Sequence, residues 1–397
     1  MLETRIAEEL ACIRQAGLER SIMDLHFVNP VQARDQAGKT YLVLASNNYL
    51  GLTHAREVIE SARAAVFKFG TGSSGSRLTT GGTFAAGELE KRLADFKHSE
   101  SALVFNTGYM TNLGVLYGLL KPGDVVFSDE LNHASIIDGC RISRCRVVVY
   151  KHNDMKDLRR LLETEKVIGQ RFIVTDGVFS MDGDIADLPA LAVLKKRFDA
   201  YLIVDDAHGV GVIGSDGSGT AAHYDMPGII DLQVGTLSKA LAAEGGYVTG
   251  KKIFIDYLIN KSRPFIFSTA LAPATLAAAN AALRLLQTQP QKYLGSLWAN
   301  TKLMRRLLKD GGLQVVEGTT PIIPVLIGEA ELTMRFADKL RGKGILVSGI
   351  RPPTVPQGES RLRITVTAAH SEEQLRQAAQ IITALWQELR QDEKKEG

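Results

Sequence analysis

One lysine stands where its surroundings could make it a nucleophile. Lys239 follows the apolar run Leu232–Gly235, a predicted strand, and precedes a mostly small and apolar segment that ends at Gly246. A lysine in low-dielectric surroundings has a lowered pKa and can form a Schiff base with a carbonyl group. Alone, the pattern far more often belongs to a solvated, unreactive lysine, so its interpretation depends on what accompanies it.

An acid and a histidine end another apolar run. Asp205 and His208 follow the predicted strand Tyr201–Val204. A buried carboxylate needs a cationic partner, and the protonated nitrogen of a pyridine ring would supply one. His208 could then hydrogen-bond the phenolic oxygen of the same ring. A metal site or a plain polar loop stays an open alternative, because aspartate and histidine also bind metal ions.

Three further predicted strands end in residues that suit the same ligand. Gly108 and Tyr109 open a helix after the first of these strands, and the amides at a helix N-terminus bind phosphate. His133 could stack on a planar ring, although Asn132 or Ser135 could simply cap the next helix there. Ser180, in the loop after the next strand, could contact a ring oxygen.

These residues belong to a region in which strands and helices alternate. Between Ser101 and Gly250, helix-length segments separate several of the predicted strands, which are Ala102–Phe105, Val125–Ser128, Arg146–Tyr150, Phe172–Thr175, Tyr201–Val204, Leu232–Gly235 and Tyr247–Thr249. Strand–helix alternation predicts βαβ units and an α/β fold with a mostly parallel sheet. Ligands of such sheets bind at the carboxyl ends of the strands, where the residues above lie.

The pattern changes after Pro273. Two long helical segments, at Ala274–Gln287 and Gln291–Lys309, lead to three strands, one near Val315 and two at Ile322–Ile327 and Arg361–Val366. A last helix runs from Ser371 to about Arg390. These elements predict a smaller α+β domain. We therefore expect an N-terminal arm at residues 1–50, a large domain at 51–285 and a small C-terminal domain at 286–397.

Composition and charge argue against several classes of protein. The 397 residues carry a net charge of only +3, with scattered Lys and Arg, which does not favour nucleic-acid binding. No apolar run reaches the ~20 residues that span a bilayer, and no apolar signal-peptide region is present. The cysteines Cys12, Cys140 and Cys145 fit neither a disulfide framework nor a zinc site. We expect a cytoplasmic protein without a bound metal.

Several motifs occur in an order and spacing that together indicate a family. They are Ser46–Leu52, Leu131–Ser135, Gly177–Gly183, Asp205–Gly209, Thr236–Lys239 and Arg351–Pro356. With them the sequence resembles the α-oxoamine synthases, from about Leu18 to the final helix. The resemblance implies a fold-type I pyridoxal-phosphate-dependent transferase, with a large seven-stranded sheet domain and a smaller α+β domain.

The resemblance also implies roles for the residues above. Lys239 would hold pyridoxal 5'-phosphate as a Schiff base and later remove the Cα proton of the substrate. Asp205 would keep the ring nitrogen protonated. The implied cofactor-binding residues are Gly108, Tyr109, His133, Ser180, Asp205, His208, Thr236, Lys239 and Thr269, of which Lys239, His133, Asp205 and His208 would be catalytic. The position of Thr269 implies a homodimer with its active site at the subunit interface.

Members of this family condense an amino acid with an acyl thioester. The sequence is most similar to those that join L-alanine to pimeloyl-CoA, or to pimeloyl-acyl carrier protein, with loss of carbon dioxide in biotin synthesis. Arg363 would bind the carboxylate of the amino acid, and Arg361 is its rival two residues away on the same face of a strand. Arg20 and Asn47 match positions near the acyl substrate. The glycine- and acetyl-CoA-using ligase of the family is the alternative, and a catalytically silent subunit is a remote one.

Two positions depart from the family pattern. Relatives commonly carry a histidine near Ala86 and a glycine where Ala242 stands. Neither position is expected to contact the cofactor. The two departures bear instead on which acyl chain the protein accepts.

Overall fold

The N-terminal arm of the chain forms one helix and three short strands. The computed structural model describes residues 1–396. Within them, helix α1 covers Leu2–Gln15, and strands β1 (His26–Asn29), β2 (Gln32–Arg34) and β3 (Thr40–Val43) pair antiparallel. Helix α1 buries none of its residues, so its apolar face is exposed. Neither α1 nor another described helix has the length and apolar composition needed to cross a membrane.

The region that follows alternates helices and strands, as the sequence pattern predicts. Its elements in chain order are α2 (Arg56–Phe69), α3 (Phe84–Phe96), β4 (Ser101–Phe105), α4 (Gly108–Leu119), β5 (Val125–Asp129), α5 (Ala134–Ser143), β6 (Arg146–Tyr150), α6 (Met155–Thr164), β7 (Arg171–Asp176), α7 (Leu188–Arg197), β8 (Ala200–Asp205), α8 (Thr220–His223), β9 (Leu232–Thr236) and β10 (Gly246–Gly250). Each predicted strand is present, and its bounds differ by at most one residue from the predicted ones.

Strands β4 to β10 form one seven-stranded sheet. Their order is β4–β10–β9–β8–β7–β5–β6, and only β10 runs antiparallel to its neighbours. Nearly every residue of β5, β7, β8 and β9 is buried, as in sheets that helices cover on both faces. This confirms the predicted α/β fold. The carboxyl ends of β5, β7, β8 and β9 lie side by side at one edge of the sheet.

The last part of the chain forms a smaller unit around an antiparallel sheet. Three helices first complete the large sheet region: α9 (Lys252–Lys261) and α10 (Arg263–Ile266) pack against α4, and α11 (Pro273–Thr288) packs against α2 and α3. The smaller unit then consists of α12 (Pro290–Asp310), β11 (Ile322–Gly328), α13 (Ala330–Gly342), β12 (Ile345–Leu346), β13 (Ser348–Ile350), β14 (Ser360–Thr365) and α14 (Glu372–Glu396). Strand β14 pairs with β11 and β13. The strand predicted near Val315 is wrong, because this residue forms only an isolated bridge to Val325. Strand β12 pairs in parallel with β3, which ties the N-terminal arm to this unit. The domain boundaries at residues 50 and 285 stay predictions.

Candidate active site

Lys239 lies in a tight turn directly after β9. Backbone hydrogen bonds close the turn, from Leu237 N to Gly245 O and from Ala243 N to Leu237 O, both at 3.0 Å. Burial lowers the pKa of Lys239 to about 8, against the opposing attraction of Asp205 and Asp176. An amine with this pKa can gain and lose a proton near neutral pH, as a nucleophile or a general base must.

Two carboxylates that act on the charge of this amine end adjacent strands. Asp205 ends β8 and Asp176 ends β7, and the two residues are register partners in the sheet. Asn112 Nδ2 donates to Asp205 Oδ2 at 2.6 Å, and the amide of Ala207 donates to Oδ1 at 3.0 Å. Burial and the neighbouring charge of Asp205 raise the pKa of Asp176 well above its usual range. Asp205 is therefore the carboxylate whose negative charge the surrounding donors support.

His208 is oriented by a tyrosine that the sequence did not single out. The hydroxyl of Tyr49 lies 2.6 Å from His208 Nδ1, and both side chains are buried. Burial lowers the pKa of His208 well below its usual range and raises the pKa of Tyr49 to about 12. A neutral imidazole beside a protonated phenol accepts the hydrogen bond at Nδ1. The Nε2–H group of His208 is then left to donate to a ligand.

His133 caps helix α5 and also belongs to the cluster. The residue itself is the N-cap, rather than Asn132 or Ser135, and its Nδ1 lies 2.7 Å from Ser135 Oγ. Its amide donates to Asp176 Oδ2 at 2.8 Å. Burial lowers the pKa of His133, and Asp205 opposes this shift. The capping role and a place beside the reacting groups are therefore compatible.

The start of helix α4 lies against the end of β9. Thr107 caps α4 by accepting a hydrogen bond from Met110 N at 3.0 Å, and the amides of Gly108 and Tyr109 have no partner within the helix. A Cβ at Gly246 would lie 2.6 Å from Gly108 N, so only glycine permits this approach. A Cβ at Gly108 would itself lie 3.3 Å from that of Thr236. Two free amides at a helix N-terminus make a cradle suited to a phosphate group. The Thr236 hydroxyl beside them already donates to Gly245 O at 3.0 Å and accepts from Ser238 N at 3.1 Å.

Arg361 and Arg363, the rivals for a substrate carboxylate, differ in what they already bind. Arg361 pairs with the carboxylates of Asp182 and Glu359. Arg363 instead donates to neutral oxygens, namely Ser180 O at 2.5 Å, Thr365 Oγ1 at 3.1 Å and Asn47 Oδ1 at 3.2 Å. None of the ion pairs within the described part of the chain involves Arg363. This contrast favours Arg363 as the residue that receives a carboxylate.

Other predicted residues lie at the margin of this cluster or outside it. The backbone carbonyl of Ser180 accepts a hydrogen bond from Arg363 Nε. The phenol of Tyr109 donates to Asp138. Thr269 is exposed, and its carbonyl accepts a hydrogen bond from Asn106 Nδ2 at 2.8 Å. Arg20 is also exposed, in the segment after α1, and the described contacts do not bring it to Lys239.

Sequence reasoning missed three residues that shape the cluster: Tyr49, Asn112 and Asp176. A signal existed for Asp176, because acids that end adjacent parallel strands must meet. Nothing in the local pattern marked Asn112, which lies within an apolar helix. Tyr49 lies within the motif Ser46–Leu52, but the motif alone did not show its contact with His208.

The donors and acceptors of this cluster fit each functional group of pyridoxal phosphate. Lys239 offers an amine to the aldehyde, and Asp205 offers a carboxylate to the pyridine nitrogen. His208 Nε2–H can donate to the phenolic oxygen. The free amides of Gly108 and Tyr109, with Thr236 beside them, fit the phosphate, and a side chain at Gly246 would collide with the Gly108 amide.

Comparisons with known proteins agree with this assignment. Residues 39–382 match the aminotransferase class I and II family. The chain belongs to that family and, within it, to the α-oxoamine synthases, so its cofactor is pyridoxal phosphate.

Three individual proteins are similar over almost the whole chain. An 8-amino-7-oxononanoate synthase from Lysinibacillus sphaericus is 46% identical over 94% of this chain and 96% of its own. Another, from Geobacter sulfurreducens, is 48% identical over 97% of this chain and 98% of its own. The solved structure of a serine palmitoyltransferase from S. paucimobilis superimposes with a TM-score of 0.91 and 31% identity, covering 97% of each chain.

Proposed function

We propose that the chain condenses L-alanine with pimeloyl-CoA, or with pimeloyl-acyl carrier protein, to form 8-amino-7-oxononanoate with loss of carbon dioxide in biotin synthesis. The observation that carries the proposal is the convergence of Lys239, Asp205, His133 and Arg363 on one space at the sheet edge. The choice of substrates is supported by identity, which is 46–48% with the two oxononanoate synthases and 31% with the serine palmitoyltransferase.

The chain's own residues would divide the work around the cofactor. Pyridoxal phosphate, when bound, supplies the electron sink for the charge that develops at the substrate Cα. Lys239 would hold it covalently and, once displaced by the amino acid, take the Cα proton. Asp205, fixed by Asn112, would hold a proton at the ring nitrogen. His208 would donate from Nε2 to the phenolic oxygen, because Tyr49 occupies its Nδ1.

Arg363 and His133 would orient the two substrates. A guanidinium has five N–H groups. In Arg363, one N–H group on each of the three nitrogens already donates a hydrogen bond within the protein. One N–H on each Nη then remains for the carboxylate of L-alanine, which suits two-point binding. His133 accepts a hydrogen bond from the Ser135 amide at Nδ1, so its Nε2–H could polarise the thioester carbonyl. Asn47, beside Arg363, and Arg20 are proposed for the acyl chain.

We also propose a homodimer in which Thr269 approaches the partner's phosphate. Thr269 forms a β-bridge with Ser76, which lies in the loop that leads from α2 to α3. Large apolar side chains are exposed around this loop, with exposed fractions of 81% for Phe67, 53% for Phe69, 52% for Leu78 and 98% for Phe84. Apolar patches of this kind mark interaction surfaces, and a second copy of the chain would cover this one. The cytoplasmic location stays a prediction.

Substrate preference tests the proposed reaction. The absorption of the cofactor-loaded protein is titrated with L-alanine and with glycine. Thiol release is then followed with pimeloyl-CoA and with acetyl-CoA, and turnover with pimeloyl-acyl carrier protein by product formation. We expect tighter binding of L-alanine and faster turnover of a pimeloyl thioester.

The other outcomes identify the alternatives. A clear preference for glycine with acetyl-CoA would replace the proposal with the glycine-using ligase of the family. Cofactor binding without turnover of any thioester would indicate a catalytically silent subunit.

A further inference from the structure

A histidine outside the cluster joins two of the loops that shape it. His152 follows β6, and its ring nitrogens lie 3.0 Å from Asp129 Oδ1 and 3.0 Å from Asp184 Oδ2. Because both acceptors are carboxylates, each nitrogen carries a proton and the ring is an imidazolium. Burial alone would lower the pKa of His152, but the carboxylates of Asp129 and Asp184 outweigh it and raise the pKa to about 10.

The two carboxylates belong to different segments of the sheet edge. Asp129 ends β5, and its Oδ1 also accepts from the amide of Leu131 at 2.9 Å, just before His133. Asp184 lies in the loop of residues 177–187, between β7 and α7. Asn153 reinforces the connection, because its Nδ2 donates to Asp184 Oδ2 at 2.9 Å and its own amide donates to Asp129 Oδ2 at 2.9 Å. We call these four residues, Asp129, His152, Asn153 and Asp184, the loop clamp.

The opposite side of the 177–187 loop contacts residues of the smaller C-terminal unit. Ser180 O accepts from Arg363 Nε at 2.5 Å, and Asp182 pairs with Arg361. Gly183 O accepts from Thr320 Oγ1 at 2.7 Å. The ring of Phe179 packs edge-on against His152, with 4.4 Å between the ring centroids. The loop is therefore fixed by the clamp on one side, and it fixes Arg363 on the other.

We propose that His152 is a positioning residue for recognition of the amino-acid carboxylate. The clamp sets the place of the Ser180 carbonyl, which holds Nε of Arg363 and so sets the direction of its free Nη–H groups. This inference rests on the proposed function, since it takes Arg363 as the carboxylate-binding residue. The ring of His152 contacts Asp129, Asp184 and Phe179, none of which is assigned to the cofactor or the substrates. Its loss should therefore weaken the binding of L-alanine without slowing the steps that follow.

The variant H152F keeps a ring against Phe179 and removes both N–H donors. In spectral titrations of the holoenzyme, we expect the dissociation constant of L-alanine to rise about tenfold, the ratio that ~1.4 kcal/mol produces. The KM of the acyl thioester and kcat should stay nearly unchanged. Hydrogen exchange of the full-length chain should accelerate in residues 177–187. H223F is the control, because the His223 ring also packs edge-on against an aromatic neighbour, Tyr224 at 4.8 Å, but lies on α8.

R363K separates this proposal from the proposed function. If R363K and H152F both weaken L-alanine binding, the clamp is supported. If R363K weakens binding while H152F leaves it and the loop exchange unchanged, the clamp is overturned and the proposed function stands. If R363K has no effect, the carboxylate assignment fails and the role of His152 fails with it. Should H152F not fold, D184N tests the same contact, since it keeps the shape of Asp184 and removes its charge, and unaltered L-alanine binding there overturns the proposal.

Discussion

The substitution Tyr49→Phe removes the short hydrogen bond that orients His208, together with a longer one of 3.4 Å from the same hydroxyl to Asn47 Oδ1. The hydroxyl it removes lies 2.6 Å from His208 Nδ1, and both side chains are buried. An unpaired acceptor in a buried place costs ~1–3 kcal/mol. Without its partner, His208 can also place its single proton on Nδ1, so that Nε2–H is no longer fixed toward the phenolic oxygen of the cofactor. We therefore expect kcat/KM to fall by roughly one to two orders of magnitude, the ratio that corresponds to ~1–3 kcal/mol.

The assay combines thiol-release kinetics with a pH titration of the cofactor's absorption band, whose midpoint should shift when the phenolic oxygen loses its donor. Y247F is the matched control. Tyr247 is fully buried as well, but its hydroxyl has no hydrogen-bond partner in the described part of the chain. Its removal should leave the kinetics at the wild-type level. A Y49F protein with wild-type kcat/KM and an unshifted titration would refute the role of Tyr49.

Three further changes test the backbone and the charges around the site. Ala242 has a φ of +53°, and A242G should raise the free energy of unfolding in urea by ~0.5–1 kcal/mol by relieving that strain; lower stability would contradict this. Lys97 Nζ lies 2.6 Å from Asp206 Oδ2, with side-chain exposures of 1% and 0%. K97M should therefore lower the free energy of unfolding by ~3–5 kcal/mol, whereas K91M, which replaces an exposed lysine, should not. Because the pKa of His152 is raised from 6.5 to about 10, its stabilisation is complete below pH ~6.5 and is lost as the pH rises toward 10. The difference in unfolding free energy between wild type and H152F should therefore shrink over that range, and a constant difference would count against the ion pairs.

Local patterns predicted the main sheet and the ends of its strands. Apolar runs such as Leu232–Gly235 are long enough for a buried strand, and a parallel sheet brings the carboxyl ends of its strands together. That geometry allowed the sequence alone to predict that Lys239, Asp205 and His133 lie close together. The backbone at Ala242 explains why relatives carry glycine at this position, because its φ of +53° lies in the left-handed region that favours glycine.

Contacts between distant segments could not be predicted in the same way. Tyr49 and His208 are 159 residues apart, and Asn112 and Asp205 are 93 residues apart, so no spacing rule connects them. Arg361 and Arg363 share one face of β14 by the two-residue period of a strand. Only their neighbours, two carboxylates for Arg361 and neutral oxygens for Arg363, distinguish them.

The most direct test of the account is to locate the cofactor on the chain. The cofactor-loaded protein is reduced with borohydride, digested, and mapped by mass spectrometry. The account predicts that the cofactor is fixed on Lys239, that K239A carries no reducible cofactor, and that K251A, which replaces an exposed lysine after β10, is labelled like the wild type. A label on another lysine, or reducible cofactor in K239A, would contradict the central claim.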